Sequence, residues 1–590
     1  MVVLLAVGIA LVSLIITPGY HFYFDITPKL VVLLAVTGVL LAWAALSAGI
    51  PEWSCRTYRW FSMLLLLTLI SLAVSTVFST QPGLSLFGTN WRRYGSAIEG
   101  AICLLAWLVA VVCAGRPDRV RIVLRTVTLA GAVAATYGIA QYFGWDPLLP
   151  RAAYQVGEGL WAIVRPPGTL GYASYFATWL LMVVFLGMAL AAMENSSAWR
   201  RCALALALVA AFAMWLTGTR AAILGLAVGG MVWFVIRKKV RVTRRTAASV
   251  LLAVIAAAAF YYSPLGQPMR SRVRWFAEDP WGGARLALWR DSLRMAGHRP
   301  VAGFGPEVFT AEFPNYESAG LARAYPDFSH ESPHNMFLDA LVAQGIPGLA
   351  LLLALCGIAF STLRRPEITA GLAAVIGAQQ FTAFTVPTAL MFFVVLALLV
   401  ALEAPLPRPR RSVPLIAASV PVAAALLYLA VRLSAADHTL ALTKHALDNG
   451  DVRSATAHYQ HYESLRLPGG TADLWYARAL LGVAAVSAAG DAARGATETA
   501  EDPFNAWYNL ALFYGNQNDT AGAERSIRAA IAAHPNWFKP HWILAQILRA
   551  EGRKEEAKQQ AVLAADLDGG KDQEVARTLR EIGDPPATAP

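Results

Sequence analysis

Apolar segments of about twenty residues recur along the chain, and they narrow its fold more than any other feature. They fall near 2–17, 29–49, 60–78, 96–114, 122–142, 172–193, 199–216, 220–236, 247–263, 344–363, 368–384, 387–403 and 412–433. Each is about long enough to cross a hydrocarbon core as a helix. In lipid a backbone must satisfy its own hydrogen bonds, and a single apolar segment does so only as a helix. Hydrophobic residues are 57% of the 590 and charged residues only 15%, where a soluble domain is nearer half and a quarter. The expected fold is all-α: a polytopic membrane protein of about 12–13 transmembrane helices. The first run begins at Met1 with no basic flank or clean cleavage site, so it reads as a retained span rather than a removed signal.

The net charge of +11 would suit nucleic acid if it were gathered on one surface. Instead the basic residues sit in alternate short loops: Arg56 and Arg59; Arg116, Arg119 and Arg121; Arg200 and Arg201; Arg237, Lys238, Lys239, Arg241, Arg244 and Arg245; Arg364 and Arg365; Arg408, Arg410 and Arg411. That bias marks the cytoplasmic side, and no nucleic-acid partner is expected. The exported set is then 18–28, 79–95, 143–171, the turn before Arg220, a long loop at 264–343 and everything after 433. The N-terminus would be cytoplasmic and the C-terminus outside. Cys55, Cys103, Cys113, Cys202 and Cys356 lie in or beside the spans, without disulfide or metal spacing.

After 433 the chain becomes Ala-rich, with aromatics at intervals. Trp507, Leu510, Ala511, Tyr514, Ala523, Ile527, Ala530 and Pro535 match the tetratricopeptide pattern, and Leu544, Ala545, Leu548, Ala557 and Ala564 repeat its register. A weaker unit surrounds Gly450, Ala455 and Tyr459. The chain thus divides into a membrane domain at 1–433, helical repeats at 434–580 and a disordered tail at 581–590. Stacked helix hairpins leave a groove for a protein partner or form a rigid cap.

The stretch 332–348, Ser-Pro-His-Asn-Met-Phe-Leu-Asp-Ala-Leu-Val-Ala-Gln-Gly-Ile-Pro-Gly, closes the long loop. Ser332 reads as a helix N-cap, with Pro333 at the first helical position. Gly345 reads as the stop, with Pro347 beyond it. His334 would lie in the first turn, where the helix dipole favours neutral imidazole, the form a general base needs. The plainer reading is a histidine bonded to nearby backbone.

Arginines on the exported side run against the charge bias. They occur in Gly88-Thr89-Asn90-Trp91-Arg92-Arg93-Tyr94-Gly95, Arg165-Pro166-Pro167-Gly168, Thr217-Gly218-Thr219-Arg220 and Arg285-Leu286-Ala287-Leu288-Trp289-Arg290. Arg92 and Arg93 could simply reach headgroups. Arg220 and Arg165 suit a buried anion, because a guanidinium offers forked donors to phosphate oxygens. With no Asp-x-Asp pair or His/Cys/carboxylate cluster exported, no metal or other cofactor is expected. Arginines would stabilise a diphosphate instead. Glu278-Asp279 reads as a turn before Pro280.

His334-Asn335, nine residues, Gly345, two residues and Gly348 is similar to the H-[NSQ]-x9-G-x-x-G pattern of the O-antigen ligase and polymerase superfamily. The arginine stretches, with Gly303-Phe304-Gly305-Pro306, also resemble that family, over roughly residues 60–405. The thirteenth run and the repeats depart from its usual pattern. The resemblance implies a bacterial inner-membrane enzyme with a large periplasmic loop. It implies glycan transfer from an undecaprenyl-diphosphate carrier to lipid A-core, another glycan (polymerase) or a protein side chain (O-oligosaccharyltransferase). It makes His334 the base and Arg220 with Arg285 the first diphosphate ligands. Arg165 and Arg290 are further candidates, and Asn335, His330 and Arg93 supporting ones. Outside the class, a lipid-linked glycan flippase would also place arginines in a membrane cavity, but it predicts related halves that the sequence does not show. A scaffold would need far fewer spans.

Overall fold

The computed structural model describes residues 1–47, 50–51, 55–157, 162–237, 244–278, 283–362, 365–406, 409–410, 413–469 and 472–583. Lys238, Lys239, Arg241, Asp279, Pro280, Arg364, Arg408, Arg411 and the expected tail from Asp584 lie outside these residues. The described fold is helical apart from two pairs of two-residue strands. Ten of its helices are long and apolar enough to cross a membrane, and Val2–Leu14 and Pro366–Ala378 are shorter apolar helices.

Ala173–Met193 and Val386–Glu403 are apolar on nearly every face and almost wholly buried, as expected of helices at the centre of a bundle. Arg220–Arg237 is their opposite, with Ile223, Met231, Phe234 and Val235 turned outward as a lipid-facing surface would be. Its inner face carries Gly225 and Gly229, one turn apart. A Cβ at either would lie 2.5 or 2.8 Å from the Ala374 or Ala370 carbonyl oxygen. The two backbones therefore touch, as small-xxx-small pairs in membranes allow. This contact brings Arg220 close to the end of Pro366–Ala378.

Met336–Phe360 is two helices joined at a break, where Gly345 has φ 67° and ψ −164°. Only glycine takes that conformation readily. The break frees backbone groups, and each finds a partner. Ile346 N donates to Pro300 O at 2.7 Å instead of to Val342 O, which accepts from Phe304 N at 2.9 Å. Pro347 has no N–H to offer Ala343 O, which accepts from Gly305 N at 2.9 Å. The 303–305 segment of the long loop is thereby pinned into the membrane helix.

The same region corrects one expectation. Ser332 is not the N-cap, and His334 is not in the first helical turn. Asn335 is the cap, its Oδ1 accepting from Phe337 N at 3.0 Å and Leu338 N at 3.2 Å. Asn favours this position as strongly as serine does. Ser332 instead takes His334 N at 3.2 Å in a local turn.

Beyond the bundle, Val413–Asp448 runs on as a single helix into the C-terminal hairpins. There Pro503–Asn516 packs against Thr520–Ala533, and Phe538–Ala550 against Lys554–Asp568. A further pair, Asp473–Gly482 with Val486–Thr499, lies outside the repeats read from the sequence, although its Ala477, Ala489 and Ala496 stand 34 residues before Ala511, Ala523 and Ala530.

Gly345→Ala should lower the unfolding midpoint of the detergent-solubilised protein, by an amount equivalent to about 1–3 kcal/mol, because its Cβ would also meet Pro300 O at 2.5 Å. Gly357→Ala, in the same helix with nothing within 4 Å, should be neutral or stabilising by up to about 1 kcal/mol. Equal midpoints for the two variants in a thermal melt would refute this account.

Candidate functional site

His334 is held in place by three hydrogen bonds made by its neighbours in the chain. Trp289 Nε1 donates to Pro333 O at 3.1 Å, Met336 N donates to Gln379 O at 3.0 Å, and Asn335 Nδ2 donates to Gln380 Oε1 at 3.0 Å. So held, His334 keeps φ at 51°, unusual for a residue with a Cβ and common where function fixes the backbone. Its Nδ1 faces Ser332 Oγ at 3.4 Å. Burial, then Arg285, His330 and Arg92, lower its pKa to about 4. The imidazole is therefore neutral at ordinary pH, through burial and cationic neighbours rather than a place in the first helical turn.

On one side of His334 lies a cavity of about 340 Å³ lined by Arg165, Arg220, Arg272 and Arg285, with His330 and His334 on its wall. Arg165 stacks on Tyr172 at 5.4 Å and reaches Ser174 Oγ at 3.2 Å, while its buried Nε has no partner among the described residues. Its loop is fixed by Gly168 N donating to Gln141 Oε1 at 2.9 Å. Arg220 follows a turn in which Thr217 Oγ1 donates to Met214 O at 2.7 Å. Arg272, on Gln267–Glu278, donates through Nε to Gly218 O at 3.4 Å. Arg285 opens Arg285–His298, donates to Phe381 O at 3.2 Å and lies 5.7 Å from the Phe381 ring. No carboxylate is among the described residues lining this cavity. Four guanidiniums around a space without Asp or Glu can hold a polyanion.

A second cavity, of about 510 Å³, meets the first at His334, Tyr172, Tyr175 and Phe328. Its other walls include Asp25, Trp91, Arg92, Asp327 and Glu331. Arg92 is buried and donates to Glu307, with Asp339 at 3.7 Å and the Phe384 carbonyl at 3.2 Å. Glu307 also accepts from Thr89 N at 3.1 Å and Thr89 Oγ1 at 2.6 Å, so it organises the whole 88–95 loop. The Trp91 indole N–H is buried without a partner among the described residues.

The structure thus brings His334, His330, Arg165, Arg220 and Arg285 together. It does not bring Arg290 or Arg93 there. Arg290 turns outward to Asp291 at 3.1 Å and Ser318 Oγ at 2.7 Å. Arg93 turns to Asn90 and the Gly88 carbonyl, beside Tyr462 and Asp437 of the C-terminal part. Asn335 acts as a cap and a tether and lines neither cavity. His330 stands edge-on to Phe313 and Phe328, with burial as the main cause of a pKa lowered to about 4. Arg272, Arg92 and Glu307 are absent from the sequence-derived site. The one signal for Arg272 is the alternation of Arg270, Arg272 and Arg274 in the loop.

Residues 203–353 match the family model described as O-Antigen ligase. The matched segment holds Arg220, Arg272, Arg285, His330 and His334, whereas Arg165, Arg92 and the C-terminal hairpins lie outside it. No curated protein matches the chain. With the ten apolar helices, the match supports a multi-pass membrane protein of O-antigen ligase or polymerase type and glycosyltransferase-like chemistry, with a lipid-linked glycan and an acceptor as its partners.

Proposed function

We propose that this protein transfers a glycan from an undecaprenyl-diphosphate carrier to an acceptor hydroxyl or amine on the outer face of the bacterial inner membrane, as an O-antigen ligase does with lipid A-core. The observation that carries this is the convergence of Arg165, Arg220, Arg272 and Arg285 on a cavity that no carboxylate among the described residues lines, and that shares His334 with a second cavity. The donor diphosphate occupies the arginine side and the acceptor the other. His334 accepts the proton of the attacking group. The new C–O or C–N bond forms at the anomeric carbon as its bond to the phosphate oxygen breaks. The electron pair leaves with the lipid diphosphate, whose charge the guanidiniums balance. Attack opposite the leaving group inverts the anomeric configuration. The arginines take the place of a metal ion.

A base with a pKa near 4 is weak. Arg285 is among the groups that hold it there, and a bound diphosphate would offset that positive field. Donor binding therefore raises His334 toward its ordinary value and prepares it to take a proton. NMR of histidine-labelled protein, with the signal assigned through His334→Gln, should show its titration move up from about 4 when undecaprenyl diphosphate is added. Arg285→Gln should move it up without ligand. A titration indifferent to both would overturn this coupling.

The direct test is transfer from a labelled undecaprenyl-diphosphate glycan by purified protein in EDTA. Wild type should be active, His334→Ala reduced about 10²–10⁴-fold and Arg220→Ala about 10²-fold. A product that keeps the donor's anomeric configuration would sink the single-displacement step, and lipid movement across vesicles without transfer would replace the reading with a flippase.

A further inference from the structure

The two cavities differ in what supports them. The four arginines stand on 165, 220, 272 and 285, and the bonds described for them run to Ser174, Gly218 and Phe381, all in the membrane part. Of the first cavity's wall, Tyr325, Phe328 and His330 lie on a stretch that the C-terminal hairpins grip; the second cavity draws on that stretch and on the 88–95 loop, which they grip as well. The 88–95 loop, with Trp91 and Arg92, is held where Asn90 N donates to Glu501 Oε2 at 2.8 Å. The segment leading to His334 is held at several points. His534 Nε2 lies 2.6 Å from Glu317 Oε2, both side chains being buried, and Asn536 Nδ2 donates to the Glu317 carbonyl at 2.6 Å. Lys539 Nζ lies 2.7 Å from Asp327 Oδ2, and Lys571 Nζ donates to the carbonyls of Arg323 and Ala324 at 2.8 and 2.6 Å. Ala322 is packed among Phe504, Trp537 and Phe538. From this anchored stretch Asp327, Phe328, Ser329 and Glu331 project into the second cavity.

We infer that the C-terminal hairpins are part of the transfer site: His534, Glu501 and Lys539 are positioning residues that set the shape of the acceptor cavity and leave the donor-binding arginines to the membrane part. This rests on the donor and acceptor assignment above. The grip is made by buried polar pairs as well as surface ones. Removing one partner of a buried pair leaves the other without compensation, so the loop moves to find a new one. A small displacement of a substrate-positioning wall costs binding and rate. General loosening of the protein would weaken both substrates together, whereas this arrangement predicts a split between them.

The test measures KM for donor and acceptor separately in the full-length protein, using a labelled undecaprenyl-diphosphate glycan and whichever acceptor supports transfer. His534→Leu should raise acceptor KM about tenfold with donor KM changed less than about twofold. His534→Gln, which keeps a donor for Glu317, should recover most of the loss. Lys539→Met, at a partly exposed pair that folding does not depend on, should raise acceptor KM about threefold. Hydrogen exchange, which needs no activity, should quicken in 323–334 and not in 217–221 for His534→Leu. Donor and acceptor KM rising together, or neither rising, would overturn the inference, as would exchange that quickens in both segments or in neither. A wild-type protein that transfers nothing fails the glycosyl-transfer reading alone, and the exchange pattern still decides the positioning.

Discussion

A membrane helix cannot leave two carbonyls bare, and the break at Gly345 and Pro347 frees those of Val342 and Ala343. Their capture by Phe304 N and Gly305 N fixes the path of the long loop at one point inside the bundle. Two residues later comes Glu307, which takes Thr89 and Arg92 together. On the other side of the break, Met336–Phe360 begins at the Asn335 cap that follows His334. One backbone repair thus sets the spacing between Arg92, which lines the second cavity, and the histidine both cavities share. The motif His-Asn-x9-Gly-x-x-Gly and the Gly-Phe-Gly stretch are distant in sequence because they are the two halves of this repair.

How much the sequence revealed follows from how local each determinant is. Apolar run length is local, so the helical membrane fold is legible. The hairpins at 503–533 and 538–568 are legible for the same reason, since their small and large residues repeat. The pair at 473–499 keeps that register at Ala477, Ala489 and Ala496, but it has Asp473, Tyr476 and Ala493 where the next unit has Trp507, Leu510 and Ile527, so its pattern is harder to read. His334 was legible from its motif, but its conformation was not. Whether Ser332 or Asn335 caps the helix depends on Gln379, Gln380 and Trp289, which arrive from elsewhere in the chain. Arg92 and Arg93 are adjacent and chemically alike, and only Glu307 decides which faces the second cavity. Arg290 shares a helix with Arg285 yet turns outward, because Asp291 and Ser318 lie in its reach.

Charge placement separates the tasks at the site. The first cavity gathers arginines, with no carboxylate among the described residues on its wall, which suits an anion. The second mixes Asp25, Asp327 and Glu331 with Lys29 and Arg92, and Arg92 is already matched by Glu307. A second anion would find less attraction there, while hydroxyl or amine donors would find acceptors. His334 at the junction feels both environments. Burial holds it neutral first and the cationic side adds to that; in the proposed reaction a diphosphate bound on that side would lift the second of these causes. Under the proposed function, a proton-accepting role for His334 would depend in part on donor occupancy through electrostatics. The hairpins gripping 317–331 add a mechanical constraint: they hold one wall of the second cavity, which the proposed function assigns to the acceptor, at a set distance from His334.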